Sequence, residues 1–135
     1  MNQSLRAILG RPPRILIVDD DEDLLLVMNL TLKSEGFDVQ VSFNAEGFFE
    51  ILQNYRPDVI LLDITMDGIE GGALCMRVKA DADTRGIIVF MFSANRNVEQ
   101  IAQVCGAEGF VTKPFEMADL HQKIRDSLGA FSDKK

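Results

Sequence analysis

Five apolar runs alternate with five helical patterns along this chain, which predicts a parallel sheet covered by helices on both faces. Ile15-Leu16-Ile17-Val18, Val59-Ile60-Leu61-Leu62 and Ile87-Ile88-Val89-Phe90-Met91-Phe92 are continuously apolar. Strands of that kind need burial on both faces, so they belong in the middle of the sheet. Phe37-Asp38-Val39-Gln40-Val41-Ser42-Phe43 instead alternates apolar and polar positions. One of its faces meets water, which predicts an edge strand. The short run around Phe110-Val111 suits the opposite edge.

Helical spacing fills the intervals. Asp21 to Ser34 carries Leu24, Leu25, Val27, Met28, Leu30 and Leu32, and Gly36 supplies a stop. Ala45 to Tyr55 is predicted as the second helix, with Asn44 as its N-cap and Pro57 barring continuation. Gly72 to Lys79, Val98 to Cys105 and Glu116 to Leu128 complete the set, and Gly106 sits where a glycine cap belongs. The expected organisation is an N-terminal arm or linker over residues 1–13, an α/β domain over 14–128 and a C-terminal tail over 129–135.

Composition narrows the class. A chain of 135 residues with 47% apolar and 26% charged content can bury one ordinary core. Its longest apolar runs are too short to cross a bilayer, and Met1 to Arg6 lacks the apolar stretch of a signal peptide. A cytoplasmic protein without membrane attachment is the expectation. Cys75 and Cys105 lack metal-site spacing and read as reduced thiols packed like small hydrophobes. A net charge of −7, without a run of five basic residues, argues against direct nucleic-acid contact.

The acids matter more for where they fall. Ligands of open parallel sheets bind beyond the carboxyl ends of the strands. The first strand ends in Asp19-Asp20, the third in Asp63, the fourth in Ser93 and the fifth in Thr112-Lys113-Pro114. Carboxylates gathered at one rim repel unless a cation lies between them or one keeps its proton. A hard divalent ion with oxygen ligands answers that need, and Mg²⁺, which favours phosphate partners, answers it best. A carboxylate beside such an ion can serve as nucleophile and become an aspartyl-phosphate. Lys113 and the Ser93 hydroxyl could then stabilise charge on the transferred oxygens.

Ile15-Leu16-Ile17-Val18-Asp19-Asp20, Asp58-Val59-Ile60-Leu61-Leu62-Asp63, Ser93-Ala94 and Lys113-Pro114-Phe115, in that order, resemble the motifs of bacterial response-regulator receiver domains. The resemblance covers about residues 14–128. It implies a flavodoxin-like (βα)5 doubly wound fold, with a five-stranded parallel sheet in strand order 2-1-3-4-5. It also implies that Asp63 accepts a phosphoryl group from a sensor histidine kinase or a histidine phosphotransfer protein. Mg²⁺ would be held by Asp19, Asp20 (more directly), Asp63 and the backbone carbonyl of Thr65. Ser93 and Lys113 would contact the phosphoryl oxygens. Phe110 would be the aromatic switch beside Ser93, and the Lys113-Pro114 bond would be cis, steering the lysine into the site. Such a protein is a signalling receiver for an unnamed effector, catalysing at most its own phosphorylation and dephosphorylation.

Two departures from the family pattern stand out. Asp67 follows Met66 where proline is usual, adding negative charge to the acceptor loop. The stretch from Ser93 to Phe110 is about two residues shorter than the family's spacing.

Plainer readings accompany each assignment. Asp21 and Asp23 suit an acidic helix start. Ser93 could be a helix-entry cap, Lys113 a surface lysine and Phe110 ordinary edge-strand core. Phe48-Phe49 reads as a helix face, and Met66, Met76 and Met91 as packing. His121, the single histidine, reads as a surface or half-buried helical residue without an acidic partner nearby in sequence. Other functions fit the same architecture. A receiver fold could act by docking alone, with little phosphorylation. A phosphatase of the haloacid-dehalogenase type could use Asp19 as nucleophile and Asp21 as acid/base, although Asp23 replaces its usual Thr or Val. A flavodoxin-like cofactor carrier needs glycines and hydroxyls in the first loop, where this chain has acids.

Overall fold

Ile15 through Val18 and Val59 through Leu62 are at most 1% exposed, the burial that continuously apolar strands demand. The computed structural model describes residues 10–66, 69–94 and 96–133. In chain order it contains β1 (Arg14–Val18), α1 (Glu22–Ser34), β2 (Asp38–Ser42), α2 (Phe48–Tyr55), β3 (Val59–Asp63), α3 (Gly71–Ala80), β4 (Ile88–Ser93), α4 (Val98–Cys105), β5 (Gly109–Thr112) and α5 (Met117–Asp133). Thr65–Met66 and Ile69–Glu70 form a short antiparallel ladder between β3 and α3.

The sheet is all parallel and runs β2-β1-β3-β4-β5, so the alternating segment and the shortest strand take the two edges as expected. Successive residues of each strand feed opposite faces. Ile15 and Ile17 pack with Leu25, Met28 and Leu32 of α1 and Leu120, Ile124 and Leu128 of α5. Leu16 and Val18 join a second core with Phe48 and Leu52 of α2, Leu74 and Val78 of α3, and Val98 and Ala102 of α4. This is the doubly wound (βα)5 arrangement. Among the described residues, no helix is long and apolar enough to cross a membrane.

Several helix boundaries differ from expectation. The second helix starts at Phe48 rather than Ala45. Asn44 Oδ1 accepts the Glu46 amide at 3.0 Å, which builds a local turn instead of a helix cap. Gly47, with φ of 72°, then turns the chain into the helix. The last helix continues through Asp133, past Leu128, so the first part of the expected tail is helical. A lone glycine in a helix costs only about 1 kcal/mol relative to alanine, and Gly129 is not a stop by itself. The third helix begins at Gly71 and ends at Ala80, one residue longer at each end than expected. Residues 1–9 of the N-terminal arm and Asp67 lie outside the described residues.

Candidate functional site

Parallel register brings the strand ends to one rim. Val18 pairs with Leu62, Asp63 with Phe92 and Ser93 with Thr112. Backbone pairing then continues beyond the strands: the Asp19 amide donates to the Ser42 carbonyl at 3.1 Å, and the Lys113 amide to the Ser93 carbonyl at 2.9 Å. Asp19, Ser93 and Lys113 are thus held by main-chain bonds on either side of Asp63.

One carboxylate oxygen each from Asp19, Asp20 and Asp63 lies within 4.8 Å of the others. Asp19 is fully buried, Asp63 is 7% exposed, and Asp20 faces solvent. Like charges about 4 Å apart repel by about 4 kcal/mol per pair at the effective dielectric of a protein surface. Part of that is offset in place. Lys113 Nζ lies 2.6 Å from Asp19 Oδ2 and 3.8 Å from Asp63 Oδ2. The Asp21 amide donates to Asp19 Oδ1 at 2.9 Å. Three carboxylates against one ammonium still leave two negative charges, the deficit a divalent cation fills. The donor set is all oxygen and one of its members is open to water, which suits Mg²⁺. Asp20 makes no hydrogen bond or ion pair among the described residues, so its carboxylate is the readiest ligand. The backbone of Thr65 enters the short ladder opposite Glu70, two residues beyond Asp63.

Lys113 is fixed from more than one direction. The Lys113-Pro114 peptide is cis, as the resemblance implies. Its ammonium also lies 4.8 Å from the centroid of the Phe92 ring, a favourable cation–π distance. Ser93 closes β4 and is partly exposed at the same rim. Phe110 is half-buried on β5, packed against the α2–α3–α4 core, with Lys123 Nζ 6.0 Å from its ring centroid. Part of its side chain is edge-strand core, and part lines a surface cleft with Thr112 and Phe115.

One residue of the site escaped the sequence reading. Gly71, the first residue of α3, donates its amide to the Ile64 carbonyl, and a Cβ there would overlap the Asp63 carbonyl. The Gly71-Gly72 pair is the available signal; the sequence reading uses Gly72 alone, as the start of the third helix.

Other singled-out residues lie elsewhere. Asp21 caps α1, its side chain accepting the Leu24 amide at 3.2 Å, and Asp23 occupies the first turn. His121 has no acidic neighbour in sequence and was expected at the surface or half-buried; the fold buries it and brings one from α1. It is 8% exposed, with Nδ1 3.3 Å from Glu35 Oε1 at the far end of α1. Arg125 Nη1 reaches the same oxygen at 2.7 Å. That hydrogen bond, with His121 and the Arg125 charge adding to it, holds the Glu35 carboxyl below its usual range. Cys75 and Cys105 are free and buried, and burial pushes the Cys75 thiol up.

The sequence matches the family described as the response regulator receiver domain over residues 15–125. It is 31% identical over 123 residues to the DNA-binding response regulator MtrA of Mycolicibacterium smegmatis, covering 90% of this chain and 53% of that protein. It is 33% identical over 117 residues to the heme response regulator HssR of Staphylococcus aureus, covering 87% of this chain and 52% of that one. The DNA-binding dual master transcriptional regulator RpaA of Synechocystis is 30% identical over 118 residues, covering 86% of this chain and 49% of RpaA. The chain thus spans about half the length of these relatives. Among solved structures, a CheY-like response regulator receiver domain protein from Methanospirillum hungatei JF-1 superposes with a TM-score of 0.83 at 26% identity, covering 92% of this chain and 99% of that one. The signal receiver domain of a signal transduction histidine kinase from Syntrophus aciditrophicus gives a TM-score of 0.78 at 28% identity, covering 87% and 91%.

Proposed function

This chain belongs to the response regulator receiver domain family, and from that premise we propose that Asp63 accepts a phosphoryl group from the phosphohistidine of a partner protein. The observation that carries the reading is the single ammonium of Lys113 set against three converging carboxylates, an arrangement that leaves a double negative charge at the rim. In the proposed step an Asp63 carboxylate oxygen bonds to phosphorus as the phosphorus–nitrogen bond to the donor imidazole breaks. The imidazole leaves with that electron pair and takes a proton from solvent. Mg²⁺, held by Asp19, Asp20, Asp63 and the Thr65 carbonyl, would neutralise the cluster and draw charge from the transferred oxygens. Lys113, 3.8 Å from Asp63, needs only a small movement to reach a phosphoryl oxygen, and the Ser93 hydroxyl can donate to another.

Drawing Ser93 toward the phosphoryl group would open space for Phe110 to move inward, changing the surface around α4 and β5. The partner upstream is a sensor histidine kinase or a histidine phosphotransfer protein, and the reader downstream is a protein effector in the cytoplasm. MtrA and RpaA are named as DNA-binding, which tempers the expectation that nucleic acid plays no part. The domain itself has a net charge of −7 and no run of cations for phosphate contacts. Asp19 is the weaker candidate nucleophile, because both its oxygens are already engaged by Lys113 and the Asp21 amide. Asp21, the acid/base of the phosphatase reading, is committed as a helix cap.

Incubation with acetyl phosphate and Mg²⁺, followed by intact mass measurement, tests the reading. The expected result is a gain of one phosphoryl group that Asp63→Asn abolishes. A gain that survives Asp63→Asn but disappears in Asp19→Ala would transfer the nucleophile's role to Asp19.

A further inference from the structure

A cleft of about 650 Å³ opens at the opposite pole of the sheet, where the strands begin, between the ends of α2 and α3 and the 81–87 loop. That volume is within the ordinary range of small-molecule sites. On one wall the Arg77 guanidinium carbon lies 4.0 Å from the centroid of the Phe49 ring. A guanidinium stacked on an aromatic face keeps its N–H donors in the plane, where a carboxylate or phosphate can meet them two at a time. Arg56 lines the same cleft and is the one non-glycine residue with positive φ, at 54°, among the described residues. A left-handed arginine at a helix end is a strained choice where glycine is usual. Its side chain makes no hydrogen bond or ion pair among the described residues.

Three acids line the cleft beside Arg11, Arg56 and Arg77, and they are placed differently. Asp58 is taken by Arg11, at 2.8 and 3.2 Å, and by the Arg14 amide at 2.8 Å. Asp81 and Asp83 keep their charge on the loop wall, where Asp81 accepts the Asp83 amide at 2.9 Å. Leu52 and Ile87 are apolar members of the lining.

We propose that this cleft is a second ligand site, taking a small molecule with one carboxylate or phosphate head on an apolar body. Arg56 and Arg77 hold the head, and Leu52 and Ile87 pack the body. Asp81 and Asp83 on the loop wall repel any further negative charge, so the ligand carries its anion at one end only. Nucleic acid and other polyanions are excluded on that ground, and the net charge of −7 adds to their exclusion. Recognition is short-ranged, made by paired hydrogen bonds rather than by the field of the whole molecule.

Phenyl phosphate titrated into the ¹⁵N-labelled protein, in EDTA so that the acid cluster stays without metal, tests the site. The expected result is saturable shift changes at residues lining the cleft, with at least about tenfold weaker binding in the Arg56→Gln/Arg77→Gln variant. A charge-matched Lys33→Gln/Lys123→Gln variant, changed on α1 and α5 away from the cleft, should bind within about twofold of the parent. The same spectra report whether each variant is folded. Shifts that fail to saturate, that centre on Asp19 and Asp63, or that weaken equally in both variants would overturn the proposal.

Discussion

Gly71 lies so close to Asp63 that a Cβ at position 71 would overlap the Asp63 carbonyl. The proposed acceptor is therefore positioned from behind by the first residue of α3, in addition to its own strand. Gly71→Ala is expected to push α3 away from β3, at a cost of about 1–3 kcal/mol. Acetyl-phosphate-driven phosphorylation should slow along with it. Urea unfolding and a phosphorylation time course measure the two effects, and a variant unchanged in both would show that the contact yields freely.

Asp20 is the exposed member of the acid cluster and carries no partner among the described residues. Asp20→Asn should thus leave the metal-free protein as stable as the parent, or more stable by about 1 kcal/mol, because it removes repulsion without opening the core. The parent should gain melting temperature on adding Mg²⁺, since a ligand that binds only the folded state stabilises it. Asp20→Asn should lose most of that gain. Thermal scans in EDTA and in Mg²⁺ compare them directly.

Lys113→Ala leaves the fully buried Asp19 carboxylate without its ammonium partner. The loss should be about 2–4 kcal/mol in EDTA, below the full cost of a broken buried pair because the lysine side chain is 23% exposed. Mg²⁺ should recover part of the loss and bind more tightly than in the parent, since the competing cation is gone. Phosphorylation should still fall, as the phosphoryl oxygens lose their donor. Calorimetric Mg²⁺ titration separates these outcomes, and weaker Mg²⁺ binding in the variant would contradict the electrostatic account.

The Glu35–Arg125 pair makes a pH-dependent contribution with a definite sign. Its folded-state carboxyl pKa is depressed, so the stabilisation is fully present above the unfolded carboxylate value, about 4.3, and is lost as pH falls through the folded value. Arg125→Gln should cost stability at pH 7, and the deficit should shrink at pH 3. Urea unfolding at the two pH values checks it; a deficit that grows on acidification would give the pair the wrong sign.

Cys75 and Cys105 are 0% and 4% exposed, and burial raises the Cys75 thiol pKa. Neither should react quickly with a thiol reagent at pH 8 in the folded protein, and both should react once it is unfolded. A rapid stoichiometric reaction without denaturant would show that α3 and α4 open readily.

Much of the architecture could be read from one-dimensional pattern, because burial on two faces and on one face leave different traces in a strand. The runs at Ile15 and Val59 mark central strands, the alternation from Phe37 marks an edge, and the acids, serine and lysine at strand ends mark the rim. Helix ends were less legible. Asn44 carries the chemistry of a cap, yet its oxygen serves the Glu46 amide, and the choice between turn and cap rests on how Gly47 sets the chain. Within α1, Leu25, Met28 and Leu32 face the core whereas Leu26, Val27 and Leu30 are exposed. Composition does not separate those two sets; the packing direction does.

What the linear order determined was a parallel α/β sheet with acids, a serine and a lysine gathered at one rim. Only the folded chain decided which side chains share an electric field. Lys113 reaches Asp19 across 94 positions of sequence, Gly71 closes on the Asp63 carbonyl, and His121 finds Glu35 at the far end of α1. Coulomb and steric terms depend on distance through space, and that distance exists only after the sheet has paired and the helices have packed.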